Sequence, residues 1–350
     1  MFSREQYETV LERAGLLDRS PRGRLRLTGS DRRGYLHGLL TNDVASLAAG
    51  QGCYAALLTP QGRMISDMRV SELGDAVLLD LPGTTSETVR RRLADFIFSE
   101  DVEVADVQGS LAHLAVYGPR AAACVAGAIA APSIGTAANA ERESFHRMPV
   151  HANARCAFRE AELVVVRSDD YGVPGFELFT AREACDELLA ALRTSGAPDV
   201  SLATLEVCRI EGGRPEFGID MDEHTIPLEA GIEGRAISMT KGCYVGQEIV
   251  VRVLHRGHGR VARHLVGLTA DRPDVDFGRG DRLLAHDGGK EIGIVTSAAF
   301  SPRLERAIGL GYVHRDHSEP GTLIDVVQEE NRQARRLTVA KLPFIPSAPE

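Results

Sequence analysis

From residue 260 onward, six short apolar runs follow one another at close spacing. They cover 264–268, 282–285, 291–297, 306–312, 322–327 and 336–341, with Gly and Asp between them. Runs this short do not make stable helices. As strands, each leaves an unpaired edge unless the set closes on itself. The pattern therefore predicts a small β-barrel over 259–345 and a loose tail at 346–350.

The chain before that point reads differently. Residues 9–17 read as a short amphipathic helix. Leu25 and Leu27 alternate with Arg24 and Arg26, which predicts a strand. Asp31 or Ser30 can cap a helix whose apolar face is Tyr35, Leu36, Leu39 and Leu40, closed by Thr41-Asn42-Asp43. Strands at 54–59, 64–71 and 76–81 are separated by Pro60-Gln61-Gly62 and Gly74-Asp75, two close turns that imply an antiparallel meander. A helix over 86–100, strands over 102–105 and 111–117 and an Ala-rich helix over 121–131 follow. Further strands are expected at 160–167 and 176–180, and helices at 181–194 and 202–211. Hairpins mixed with helices suit an α+β class better than a doubly wound sheet. Residues 1–258 are accordingly expected to hold two α+β subdomains with a boundary near 140–150.

A net charge of −9 argues against a partner that is nucleic acid, since Arg90 to Arg92 fit a solvated helix face. The N-terminal stretch carries charges throughout, and no window of the length needed to span a bilayer is apolar, so no membrane contact is expected. Six scattered cysteines without a C-x-x-C pair favour a reducing compartment, hence a cytoplasmic location. They also argue against a stored iron–sulfur cluster. His255 with His258 and His314 with His317 lack acids or thiols at zinc spacing, so no metal site is expected. Dinucleotide, P-loop and G-x-S-x-G motifs are missing.

The densest chemistry is the stretch Lys241-Gly242-Cys243-Tyr244-Val245-Gly246-Gln247-Glu248. It sets a thiol, an ammonium, an amide and a carboxylate within eight residues, and Arg252 adds a cation nearby. Lys241 can lower the thiol pKa if both side chains point the same way. From chemistry alone the stretch fits a reactive thiol and a packed cysteine equally.

This stretch resembles the hallmark of the YgfZ family, folate-binding relatives of the glycine-cleavage T-protein. The run from Gly29 through Tyr35-Leu36-His37-Gly38-Leu39-Leu40-Thr41-Asn42-Asp43-Val44 is similar to the family's N-terminal pattern. So are the segment from Gln61 to Val70, Gly175-Phe176-Glu177-Leu178, and the series Arg209, Glu211, Gly212, Pro215, Gly218, Asp220, Ile226, Pro227, Glu229. The resemblance implies a T-protein-like ring of α+β subdomains around a central cavity, with the barrel at the C-terminus. It implies tetrahydrofolate or a derivative as cofactor, with Cys243 and Lys241 as catalytic residues. Contacts to the folate are expected from Asp67, Glu177, Arg209, Tyr244, Gln247, Glu248 and Arg252.

The transferase branch of this superfamily carries paired aspartates where this chain has Ser66-Asp67, an acid where it has Val173, and no cysteine at position 243. These departures rank a cytoplasmic factor for iron–sulfur cluster assembly or repair first, with iron–sulfur client or carrier proteins as partners. A folate-dependent aminomethyltransferase or methyltransferase is the alternative, and a non-catalytic folate-binding scaffold is a third reading. Whether the chain is an enzyme stays open at this stage.

Overall fold

A computed structural model describes residues 1–129, 144–256, 260–286, 289–328 and 334–346. The chain opens with α1 (Arg4–Glu12), capped by Ser3, whose Oγ accepts from the Gln6 N–H at 3.3 Å. The helix is followed by strand β1 (Gly15–Asp18), so the helix expected over 9–17 starts and ends earlier. Gly15 explains the break: a Cβ there would stand 2.6 Å from Val200 and 2.9 Å from Val10, so only glycine lets β1 pass this close.

Two five-stranded antiparallel sheets follow. The first takes β2 (Gly23–Thr28), β3 (Gly52–Leu58), β4 (Met64–Glu72), β5 (Val77–Leu81) and β6 (Glu103–Asp106), in the order β3-β4-β5-β2-β6. Its helices are α2 (Arg32–Leu39) and α3 (Ser86–Ala94). The second takes β7 (Leu111–Tyr117), β8 (Asn153–Phe158), β9 (Ala161–Ser168) and β10 (Gly175–Ala181), in the order β1-β7-β10-β9-β8. Its helices are α4 (Ala121–Ile129) and α5 (Cys185–Thr194).

The two units repeat one plan: a strand, a helix, a three-stranded meander, a short 3-10 turn and a helix. They differ at one edge. The first is completed by β6, which follows its own helix, and the second by β1, from the start of the chain. The units thus interleave in sequence, and residues 130–143, which overlap the boundary expected near 140–150, lie outside the described residues.

The two-residue period of a strand sorts each sheet into a helix face and an inner face. In the first, Leu25, Leu27, Met68, Val70 and Leu79 pack on Leu36, Leu39, Val89 and Leu93. In the second, Leu114, Val116, Leu163, Val165, Phe176 and Leu178 pack on the alanines of α4 and on Leu188 and Leu192. Truncating one such leucine to alanine costs ~2–5 kcal/mol. The inner faces meet through a small apolar cluster of Leu78, Val164, Val166 and Phe179. The remaining inner positions are largely polar and buried: Asp67, Ser71, Asp80, His113, Ser168 and Glu177.

Helix α6 (Leu202–Glu211), capped by Ser201, leads through the short α7 (Glu233–Ala236) and α8 (Gln247–Val251) to the barrel. The barrel closes as expected, in the order β11-β14-β13-β12-β15-β16. Its strands are β11 (Arg263–Ala270), β12 (Arg282–Ala285), β13 (Glu291–Ser301), β14 (Arg306–His314), β15 (Leu323–Val327) and β16 (Arg335–Ala340). Strand β13 outruns its apolar run to Ser301, which donates to Glu211 of α6, while Ser297 within the run accepts from Arg209. Ile210 packs on Ile308 and Leu310 at the same seam. Of the expected tail, residues 347–350 lie outside the described residues, as does His258. Among the described residues, no helix is long and apolar enough to cross a membrane.

Candidate active site

Strand β4 places Asp67 and Arg69 on the inner face, flanking Tyr54 of β3. The Tyr54 hydroxyl donates to Asp67 Oδ2 at 2.6 Å, which fixes the carboxylate. Its other oxygen, Oδ1, is buried and has no hydrogen-bond partner among the described residues. Buried polar atoms are almost always paired, so an orphaned acceptor marks a place where a ligand or water completes the site. The Tyr54 ring is flanked by two guanidinium groups, Arg69 at 5.3 Å and Arg235 at 5.2 Å from its centroid. Burial first, and then the Asp67 charge, push the Tyr54 phenol far above its ordinary range, so it stays a donor.

Arg235 reaches this junction from α7, which is tied to the end of α2. Thr41 Oγ1 donates to the Ala236 carbonyl at 2.6 Å, and the Asn42 amide donates to the carbonyls of Tyr54 and Arg235. The turn after β9 supplies the opposing charges. Asp169 accepts from Arg235 at 3.1 Å and from Arg214, and Asp170 lies 2.9 Å from Arg69 Nε and 3.5 Å from Arg19. Burial would raise the Asp170 pKa, but Arg69 and Arg19 outweigh it and hold the carboxyl well below its usual range. Asp80 is likewise held at about 2 against its burial, by Arg22, His113 and Arg19.

Between the sheets lies an internal cavity with room for about one water molecule, lined by Arg69, Asp80, His151, Ser168 and Glu177 among others. His151 adopts the left-handed backbone conformation at φ 69°, which is uncommon without glycine. Burial lowers its pKa to about 4, with Arg235 and Arg69 opposing Asp170 and Asp169, so the ring is neutral near pH 7. The side chains of Arg69, Arg214 and Arg235 keep 19 to 28% exposure, so the junction is reached from solvent on their side.

The expected site residues fall in different places. Glu177 faces the cavity, but its oxygens accept from Arg19 at 2.6 Å, from His113 at 2.5 Å and from Tyr117. Arg209 is buried between α6 and the barrel and donates to Glu206, Asp220, Ser297 and the Arg214 carbonyl. All five of its N–H groups are taken, and no donor is left for a ligand.

Lys241 points its ammonium at the end of α2, donating to the carbonyls of His37 and Leu40 at 2.5 Å and of Asn42 at 3.0 Å. Its three donors stabilise a helix C-terminus. Burial lowers its pKa to about 8. Cys243 is exposed and makes no hydrogen bond among the described residues. Tyr244 is buried in the cluster between the first sheet and α7, with Lys241 over its ring at 4.9 Å. Gln247 accepts from the Tyr244 N–H, and Gly246, at φ 85°, starts α8 in a backbone conformation that suits glycine. Glu248 and Arg252 are exposed.

Sequence reasoning missed Tyr54, Arg69, Arg235, Asp170 and His151. One signal was available for one of them: Arg69, like Asp67, alternates with apolar residues in a strand apolar enough to be buried on both faces.

The matches to known proteins decide the family. Residues 2–241 match the GCVT N-terminal domain, and residues 263–345 match the glycine cleavage T-protein C-terminal barrel domain. The chain belongs to the glycine cleavage T-protein family. It is 32% identical over 351 residues to the aminomethyltransferase of Rubrobacter xylanophilus, covering 97% of this chain and 85% of the relative. It is 29% identical over 345 residues to that of Saccharopolyspora erythraea, covering 97% and 89%. The crystal structure of glycine cleavage system aminomethyltransferase T from Bartonella henselae superimposes with a TM-score of 0.85 at 22% identity, over 98% of this chain and 89% of that one.

These relatives overturn the ranking drawn from the sequence. The iron–sulfur assembly or repair role was placed first, and near full-length similarity to aminomethyltransferases favours the transferase alternative instead. The structure also removes an argument against transfer. Ser66 and Asp67 are consecutive in a strand and point to opposite faces. Ser66 Oγ donates to the Asp67 carbonyl and pairs with Thr85 on the helix side, so an acid at position 66 would not share the Asp67 site.

Proposed function

We propose that this chain is a folate-dependent aminomethyltransferase or methyltransferase, with the Tyr54–Asp67–Arg69 junction as its reaction site. The observation that carries the reading is the free Asp67 Oδ1 on a carboxylate whose other oxygen is fixed by Tyr54. Tetrahydrofolate, the cofactor that the family resemblance implies, supplies the nitrogen that receives the one-carbon unit. The donor set suits such a ligand: an orphaned acceptor for an N–H, guanidinium groups beside it, and side chains that reach solvent.

Asp67 accepts the N–H of the reacting amine and orients its lone pair. A carboxylate so placed can hold the proton that moves as a carbon–nitrogen bond forms or breaks, which contributes ~10²–10⁴-fold in rate. Tyr54 prevents rotation of the carboxylate. Arg69 and Arg235 hold the ring of Tyr54, and the Asp169-Asp170 turn holds the guanidinium groups.

Within the family, the 241–248 stretch sets this chain toward the YgfZ-like branch. In this reading Lys241 serves the site indirectly, by fixing the end of α2 that carries Thr41 and Asn42. The test is a transfer assay with tetrahydrofolate and an aminomethyl donor, following methylenetetrahydrofolate, with calorimetric titration of a reduced folate alongside. Turnover with saturable folate binding is expected. Folate binding without turnover on any amine donor would leave the scaffold reading instead.

A further inference from the structure

Strand β3 is the outer strand of the first sheet, so the backbone groups along its free edge need partners from outside the sheet. Thr41 and Asn42, just past α2, supply them. The Thr41 N–H donates to the Ala56 carbonyl at 3.0 Å, and Thr41 Oγ1 accepts from the Ala56 N–H at 2.9 Å. Asn42 Nδ2 donates to the Tyr54 carbonyl at 2.8 Å. Across the β3–β4 pair, Ala56 stands opposite Asp67 and Tyr54 opposite Arg69. Two residues that read in the sequence as the close of a helix therefore hold the strand beside the reaction site.

The same two side chains reach α7. Thr41 Oγ1 donates to the Ala236 carbonyl, and Asn42 Nδ2 gives its second N–H to the Arg235 carbonyl at 3.1 Å. Their work differs. Thr41 joins Ala56 to Ala236, which carry only methyl side chains. Asn42 joins Tyr54, which fixes Asp67, to Arg235, whose guanidinium lies over the Tyr54 ring. The Asn42 amide has one workable orientation. Its Oδ1 accepts from the Asp43 N–H at 2.9 Å, and the opposite flip would set that oxygen against two carbonyl oxygens. Its backbone carbonyl is held in turn by Lys241 at 3.0 Å.

We infer that Asn42 is a positioning residue of the transferase site. Its two amide hydrogens set the distance between Tyr54 and Arg235, and so the aim of the Tyr54 hydroxyl on Asp67. The inference rests on the transferase reading for the identity of the site and extends it to a residue that acts through Tyr54. Aspartate has nearly the size of asparagine but no N–H, so it separates a donor role from a packing role.

The experiment is a double-mutant cycle on the full chain. It measures kcat, the KM for tetrahydrofolate and Tm in the wild type, Asn42→Asp, Tyr54→Phe and the pair. Asn42→Asp should lower kcat ~10–100-fold, the scale of a small misplacement at a reacting group, with KM within about threefold. In the Tyr54→Phe background the same change should cost less than about threefold, because the hydroxyl that Asn42 aims is gone. Losses that multiply, or full kcat in Asn42→Asp with a lowered Tm, overturn the inference and leave Asn42 a structural link. Asn42→Ser keeps one donor and carries the cycle if the aspartate variant fails to fold. A second measurement needs no turnover. In protein with isotope-labelled tyrosine rings, the Tyr54 NMR signal, assigned by its loss in Tyr54→Phe, should shift in Asn42→Ser. An unmoved signal overturns the inference even where the wild type shows no turnover, a result that would by itself sink the transferase reading.

Discussion

The junction at Asp67 and the stretch around Cys243 both concentrate reactive side chains, yet the fold treats them in opposite ways. At the junction, charges from both sheets and from α7 are buried together, and two groups remain incomplete, Asp67 Oδ1 and Arg69. At the other stretch the thiol is exposed, and the cation expected to activate it is committed to three backbone carbonyls. A motif's chemical density is thus a weaker guide than the hydrogen bonds its groups have left. Lys241, the most suggestive neighbour of Cys243, has none, whereas an aspartate in an ordinary-looking strand has one.

If the junction is a preorganised network, its members should be intolerant of loss. Arg19 is 5% exposed and contacts Tyr117, Asp170 and Glu177. Arg19→Ala leaves two buried carboxylates short of a counter-charge and should cost ~3–5 kcal/mol, read by chemical denaturation. A loss below 1 kcal/mol would mean that water already compensates these acids.

The role assigned to Lys241 predicts a smaller effect, one independent of chemistry at Cys243. Lys241→Met removes charge-assisted bonds to the end of α2 and should cost ~1–3 kcal/mol, while the alkylation rate of Cys243 stays within about twofold of the wild type. A lysine with a folded-state pKa near 8 and an ordinary value of 10.5 binds fewer protons when folded than when unfolded between those limits. Its contribution to stability therefore rises with pH from about 8 to 10.5. The wild-type minus Met difference should show that slope, and a flat difference would place the ammonium in water.

His151 sharpens the comparison from the acid side. Its folded-state pKa near 4 lies below the ordinary 6.5, so the unfolded chain takes up the proton first as pH falls. Stability should drop from pH 6.5 toward 4, and buried His113, also shifted down, adds to the drop. Asparagine tolerates the left-handed backbone, so His151→Asn should keep the fold and reduce the acid-side loss by about a few degrees of Tm. An unchanged acid limb would mean that His151 is not neutral in the cavity. The smallest effect is expected at Cys243 itself. As an exposed residue with no hydrogen bond among the described residues, Cys243→Ser should change stability by less than about 0.5 kcal/mol.

Much of the architecture was legible because strand period and turn chemistry are local. All six barrel strands fall on the six apolar runs, and 111–117 was read to the residue as β7. Strand β1 was absorbed into a helix, because the approach of Val10 and Val200 that requires Gly15 is a long-range contact. Strand β8, Asn153–Phe158, consists mostly of small and polar residues around Arg155 and leaves little apolar signal. The site was legible only at Asp67. Tyr54, Arg69, Arg235 and the Asp169-Asp170 turn are joined by the meeting of two sheets and α7, which one-dimensional spacing does not encode. Reading Ser66-Asp67 as half of a catalytic pair failed for a simpler reason, since consecutive strand residues face apart.

The most direct test compares Asp67→Asn with Cys243→Ser in one single-turnover transfer assay with tetrahydrofolate and an amine donor. Asparagine keeps the size of the side chain and a bond to Tyr54 but removes the charge and the proton acceptor. The account predicts that Asp67→Asn loses ~10²-fold or more in rate with its melting temperature little changed, while Cys243→Ser stays within about threefold of the wild type. Full activity in Asp67→Asn beside an inactive Cys243→Ser would contradict it and move the chemistry to the exposed thiol.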